Sequence, residues 1–133
     1  MIGYATLGTN DIAKARDFYD ALLGSIGAKR IMEFGEEAGG FTMWGTGWDK
    51  PGIAVTRPYN GAAAQAGNGN MLAIALDSRA SVDALHAKAV ALGGSCDGPP
   101  GVRGEEGPQA FYGAYFRDPE GNKLCAFRVG PAE

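Results

Sequence analysis

The chain repeats itself. Shifted forward by 67 positions, "YATLGTNDIAKARDFYDALLGSIGAKR" (4–30) overlays "MLAIALDSRASVDALHAKAVALGGSCD" (71–97) without a gap. Tyr4 meets Met71, Leu7 meets Ile74, Tyr19 meets His86 and Gly27 meets Gly94. A looser match at a shift of 71 lays "IAVTR" (53–57) on "LCAFR" (124–128), placing Ala54 opposite Cys125. Identities are few. What recurs is the order of apolar, polar and glycine positions, the signature of one supersecondary unit made twice.

The unit reads as β-α-β-β-β. In the first copy, "IGYATLG" (2–8) alternates like a strand, and "TND" (9–11) starts a helix. Asn10 or Thr9 is expected to cap its free N–H groups, and Asp11 to suit the positive end of its dipole. Ile12, Ala15, Tyr19, Leu22 and Leu23 recur at helical spacing, Phe18 widens the stripe, and Gly24 or Gly27 ends it. "AKRIMEF" (28–34), "GFTMWGT" (40–46) and "IAVTR" (53–57) are three further strands. "PYNGAAAQAGNGN" (58–70) has no periodicity and reads as the linker between modules 1–57 and 71–133 of one domain.

In the second copy, "MLAIAL" (71–76) is a strand, followed by a helix with Val82, Leu85, Ala89 and Leu92 on one face and Gly93-Gly94 as its stop. "SCD" (95–97) is a short strand. "GPPGVRGEEGPQ" (98–109), with three prolines and four glycines, is expected to be a loop that acts as a lid. "AFYGAYFR" (110–117) and "KLCAFRV" (123–129) are strands around the turn "DPEGN", where Asp118 should cap local N–H groups. The expected fold class is therefore α+β, from tandem β-α-β-β-β modules.

A chain of 133 residues with 20% charged residues suits one compact domain. The net charge of −3, without a basic run, argues against a nucleic-acid partner. No apolar run is long enough to span a membrane, and the N-terminus lacks the pattern of a signal peptide. Cys96 and Cys125 are the only cysteines and are expected to be free thiols in a cytoplasmic protein.

Three stretches carry a family resemblance: "YATLGTNDIAKARDFYDALLG", "GNGNMLAIALDS…VDALHAKAVALGG" and "GAYFRDPEGNKLCAF". With Asp11, Ala15, Phe18 and Tyr19 in the first and Phe116 to Asn122 in the last, the chain resembles the vicinal oxygen chelate superfamily of glyoxalases, bleomycin-resistance proteins and extradiol dioxygenases. The resemblance implies paired modules whose sheets curl around a cleft, commonly in a homodimer. In metal-dependent members, His on first strands and Glu on last strands hold a divalent ion that stabilises an enolate or similar anion.

Carried over residue by residue, the four ligand positions fall on Tyr4, Ala54, Met71 and Cys125. None is His, Asp or Glu, whereas a hard or borderline divalent ion wants at least three oxygen or imidazole donors. The expectation is no metal and no other cofactor. The only histidine, His86, lies mid-helix, away from the cleft, and is expected to be a packed or surface residue. The ligand positions also fix which side of each strand faces the cleft. Tyr4, Thr6, Ala54, Met71, Ala73, Gly113, Tyr115, Cys125 and Phe127 should line it, with Lys123 beside them. Trp44, Trp48 and Tyr59 are candidate walls, and Ala73, Ala75 and Gly113 should leave room inside.

Three functions follow from this lining. The first is a metal-free aromatic cleft that binds a small molecule, including a cationic one, given the acidic chain. The alternative is a metal-dependent glyoxalase-type lyase or isomerase with non-standard ligands, or one that works through Tyr4 or Cys125. The third is a module that only pairs with protein.

Overall fold

The computed structural model describes all 133 residues. They form two compact units, 1–67 and 68–133, so the boundary lies inside the glycine-rich linker. The first unit comprises β1 (Tyr4–Gly8), α1 (Ile12–Gly24), β2 (Lys29–Glu33), a 3-10 turn (Glu36–Ala38), β3 (Thr42–Gly45) and β4 (Gly52–Thr56). The second comprises β5 (Leu72–Ala75), α2 (Arg79–Ala91), β6 (Ser95–Arg103), β7 (Phe111–Arg117) and β8 (Lys123–Val129). The sheets have orders β1-β4-β3-β2 and β5-β8-β7-β6, the same path taken twice.

Strand register makes the repeat exact at residue level. Ala54 of β4 lies beside Thr6 of β1 and Met43 of β3. Cys125 of β8 lies beside Ala73 of β5 and Tyr115 of β7. Ala54 and Cys125 are therefore topological mates, as the 71-residue shift anticipates. The helix starts match too, but not through Asn10 or Thr9. Asp11 is the N-cap of α1, accepting from the Lys14 N–H at 3.0 Å. Its mate Ser78 caps α2 through the Ser81 N–H, also at 3.0 Å.

Each helix covers one face of its own sheet. In the first unit Ile12, Ala15, Phe18, Tyr19, Leu22 and Leu23 of α1 are buried, with Trp44 and Val55 on the sheet. In the second, Val82, Leu85 and Ala89 of α2 are buried, with Phe116, Leu124 and Ala126 on the sheet. Removing such side chains from water is the main stabilising term.

One segment departs from expectation. Residues 98–103 are strand, not loop: β6 pairs with β7 from Ser95 to Arg103. Its register shifts twice, between Cys96 and Gly98 and between Gly98 and Gly101, and β6 is an edge strand. An edge with bulges has no ladder bond on its outer side, so Pro99 and Pro100 fit there. The loop expectation survives only from Gly104 onward.

The β2–β3 connection is tightly turned. Gly39 and Gly40 both take positive φ, 70° and 71°, and a Cβ on Gly40 would lie 2.8 Å from Ile12 Cγ1. The tight reversal lets the Arg16 guanidinium of α1 donate to Thr42 Oγ1 (2.8 Å), Gly40 O (3.0 Å) and Phe34 O (3.1 Å). That tie fixes the 3-10 turn against the helix.

Candidate functional site

Each sheet has a second face that its own helix does not cover. In the first unit the register places Tyr4, Thr6, Ala54 and Met43 on it. Tyr4 is 55% exposed and meets Phe41 edge-on at 5.9 Å, and Phe41 in turn lies 6.0 Å from Phe34. Beside this aromatic patch is an open pocket of about 890 Å³. Its walls include Thr6, Phe41, Thr56, Glu37, Arg57 and Tyr59. Asn10 holds the far wall: its Oδ1 accepts from Ala64 N at 2.6 Å and its Nδ2 donates to Ala64 O at 3.1 Å. The middle of the linker is thereby tied to Asn10. Arg57 pairs with Glu36 at the pocket edge.

Trp44 is not on this face. It is 1% exposed, its ring lies 5.6 Å from Tyr19, and its Nε1 donates to Asp20 Oδ1 of α1 at 2.8 Å. Its register partner Ile53 equates it with Phe116, which pairs with Leu124. Trp44 is thus the core aromatic of the first unit. The residue equivalent to Tyr115 is Met43, which the sequence reading missed. The signal was available, because "TMW" overlays "AYF" once the strands are matched through Ala54 and Cys125. Trp48 and Tyr59 are both strongly exposed, and Tyr59 lines the pocket.

In the second unit Ala73, Gly113, Tyr115, Cys125 and Phe127 share one face, with Lys123 and Phe111. Ala73, Ala75 and Met71 are exposed. Phe111 and Phe127 stack in parallel, with centroids 5.3 Å apart and planes 7° apart. Gly113 leaves no empty space: a Cβ there would lie 2.6 Å from Phe111 Cε1, so the Phe111 ring fills it. Tyr115 carries two cations, with the Arg103 guanidinium 5.4 Å and Lys123 Nζ 5.3 Å from its ring centre. Cys125 is on this face by register yet wholly buried, and burial pushes its thiol pKa up, against the opposing charges of Arg103 and Lys123. A buried thiol with a raised pKa is neither a ready ligand nor a nucleophile.

The turn after β7 is closely fixed. Asp118 Oδ1 accepts from the N–H groups of Glu120 (3.0 Å) and Asn122 (2.9 Å), and Oδ2 from Asn122 Nδ2 (3.0 Å). This is the local capping its place before proline suggests. His86 packs edge-on to Phe116 at 6.5 Å, on the helix side of the sheet.

The sequence model of the Glyoxalase/Bleomycin resistance protein/Dioxygenase superfamily matches residues 1–126. The chain belongs to this superfamily. A glyoxalase/bleomycin resistance protein from Albidiferax ferrireducens T118 is 35% identical, with a TM-score of 0.80 over 96% of this chain and 98% of that one. A glyoxalase/bleomycin resistance protein/dioxygenase family enzyme from Burkholderia phytofirmans PsJN shares the fold at 24% identity, TM-score 0.70, over 96% and 97% of the two chains. Lactoylglutathione lyase from Agrobacterium tumefaciens shares it at 20% identity, TM-score 0.65, over 96% and 92%. No match was found among curated proteins.

The resemblance assigns four positions to the ligands of a metal-dependent member, and the side chains at those positions do not fit a metal. In the first unit the two ligand positions are Tyr4, a phenol, and Ala54, which has no donor. In the second they are Met71, a thioether, and Cys125, a buried thiol. No group of three or more His, Cys, Asp or Glu side chains is gathered to hold an ion. That set lacks the oxygen and imidazole donors a borderline divalent ion takes. No helix is long and apolar enough to cross a membrane.

Proposed function

We propose that this superfamily member is a metal-free binding protein for a small molecule, held on the faces that the helices leave open. The observation that carries the reading is the chemistry at the four ligand positions, Tyr4, Ala54, Met71 and Cys125. They offer aromatic, methyl, thioether and thiol groups where chelation needs carboxylate or imidazole. Around them lie features that suit ligand capture: the Tyr4–Phe41–Phe34 patch, the Phe111–Phe127 stack and the small Ala73 and Ala75. Aromatic surface with a few polar tips is the usual make-up of a small-molecule site. The same reading takes the protein as a cytoplasmic homodimer without nucleic-acid or membrane partners.

Elemental analysis of the purified protein, followed by a thermal-shift screen of aromatic small molecules, tests this. The expected result is substoichiometric metal and a rise in melting temperature with at least one aromatic class, since a ligand of the native state raises apparent stability. Stoichiometric Zn, Ni, Mn or Fe that disappears in Tyr4→Phe and Cys125→Ser variants would instead make the protein a metal-dependent lyase or isomerase with unusual ligands.

A further inference from the structure

Arg103 is the one arginine of the chain without a carboxylate partner. Arg16, Arg30, Arg57, Arg79, Arg117 and Arg128 each pair with an Asp or Glu within 4.0 Å. Lys123, the other cation over Tyr115, is bound to Asp97 at 3.2 Å. Arg103 bonds instead to its own strand, with one terminal nitrogen donating to Gly101 O at 3.0 Å and the other to Pro99 O at 2.6 Å. Glycines make this fold-back possible. A Cβ on Gly101 would lie 3.2 Å, and one on Gly98 3.4 Å, from the two terminal nitrogens. The guanidinium is therefore laid into a glycine notch of the edge strand β6, beside the Tyr115 ring.

A guanidinium has five N–H donors in a rigid fork, and two backbone carbonyls leave the rest available. Its charge is uncompensated, and its orientation is fixed before anything binds, so little entropy is lost on capture. Next to it on the same face are the parallel rings of Phe111 and Phe127 and the exposed methyls of Ala73 and Ala75. This is an apolar, partly exposed aromatic surface with one anion hook at its edge. A single carboxylate suits the hook better than a phosphate dianion, because Lys123, the other cation over Tyr115, is already taken by Asp97 and the chain is net negative.

We propose that the open face of the second sheet binds a planar aromatic or conjugated carboxylate, with Arg103 as its anion-binding group. This rests on the small-molecule reading above and gives the ligand a charge, opposite to the cation that the acidic composition suggests.

The test uses the full chain and three probes of one shape: 2-naphthoate, 2-naphthamide and 2-naphthylmethylammonium. Titration calorimetry should show 2-naphthoate binding most tightly, and more weakly as salt rises. Arg103→Gln should weaken 2-naphthoate about tenfold or more, the loss expected for a hydrogen bond to a charged group, and leave 2-naphthamide unchanged. Arg103→Lys should recover part of the loss. Amide resonances of β7 and β8 should shift with the carboxylate. Equal binding of carboxylate and amide overturns the proposal, as does an unchanged Arg103→Gln affinity or failure of every probe to bind. If Arg103→Gln does not fold, as judged by circular dichroism, the three-probe comparison on the natural chain decides alone. Stoichiometric metal in the same sample would sink the metal-free reading and leave the Arg103 comparison standing.

Discussion

The two units follow one path yet distribute their weight differently. In the first, strands are four or five residues long and α1 buries six side chains, three of the core rings being Phe18, Tyr19 and Trp44. In the second, α2 buries three, and β6, β7 and β8 lengthen to nine, seven and seven residues. One unit leans on its helix and the other on its sheet. The open faces diverge as well, with an aromatic patch beside an open pocket on the first and paired cations over Tyr115 on the second. A duplicated fold thus preserves register and caps while freeing the side chains that carry binding.

The largest effect should come where the comparison is tightest, at the mates Trp44 and Phe116. Both are essentially without exposure. Trp44→Ala and Phe116→Ala are each expected to cost about 3–5 kcal/mol in urea denaturation. Trp44 does one thing its mate cannot, donating to Asp20. Trp44→Phe should therefore still lose about 1 kcal/mol. A cost below about 1 kcal/mol for Trp44→Ala would mean that it is not the core counterpart of Phe116.

The turns before the last strands come next. In the second unit Asp118 is 5% exposed and accepts three hydrogen bonds across the β7–β8 turn. In the first unit the β3–β4 turn has only exposed Asp49 and a backbone bond from Lys50 N to Gly47 O, 3.2 Å. Asp118→Ala leaves buried donors unmatched and should cost about 2–3 kcal/mol. Asp49→Ala should stay within about 0.5 kcal/mol. Equal costs, measured by the same denaturation, would show that the family's "DPEGN" turn is no more constrained than its counterpart.

What the sequence made legible was whatever depends on period. The repeat, the element order, the α1 stripe, the Val82, Leu85 and Ala89 part of the α2 stripe and the placing of Ala54 opposite Cys125 all follow from spacing, whereas Leu92 is the C-cap of α2 and only half-buried. What it hid depends on three-dimensional closure. The core side of Trp44 is legible only through its mate Phe116, not from its own strand, which places it as readily on the cleft side. The prolines of β6 argued for a loop because sequence does not reveal that a strand is an edge. Arg103 gave no signal, because its fold-back needs Gly98 and Gly101 on the same strand and a ring, Tyr115, on the next. The Gly113 gap was filled by Phe111, two residues away on the same face.

Ion pairs give a smaller, pH-dependent comparison. The Arg30 hydrogen bond, partly offset by burial, holds the Asp20 pKa below its ordinary 3.8. The Arg79 hydrogen bond does the same for Glu106, below 4.5. A depressed folded pKa gives stability that is present above the unfolded pKa and is lost as pH falls through the folded one. The melting temperature of the natural chain should exceed that of Asp20→Asn at about pH 6, and the gap should close as pH falls below 3.8. Glu106→Gln should show the same sign with a smaller gap, because its carboxylate is the more exposed. A gap that widens in acid would contradict both assignments.

The smallest expected effect tests the mates Tyr19 and His86. Tyr19 is fully buried between Phe18 and Trp44, with centroids 4.9 and 5.6 Å away. His86 occupies the same place on α2, but its only ring contact is Phe116, and its Nε2 is buried without a hydrogen-bond partner. An unmatched buried nitrogen costs free energy that an apolar ring of similar size does not. His86→Phe should therefore stabilise the protein by about 0.5–1 kcal/mol, read as a higher urea midpoint at unchanged slope. His86→Ala should destabilise it, because the packing on Phe116 is lost and nothing replaces it. If His86→Phe destabilises as much as His86→Ala, the nitrogen is useful where it stands and the second helix is not a looser copy of the first.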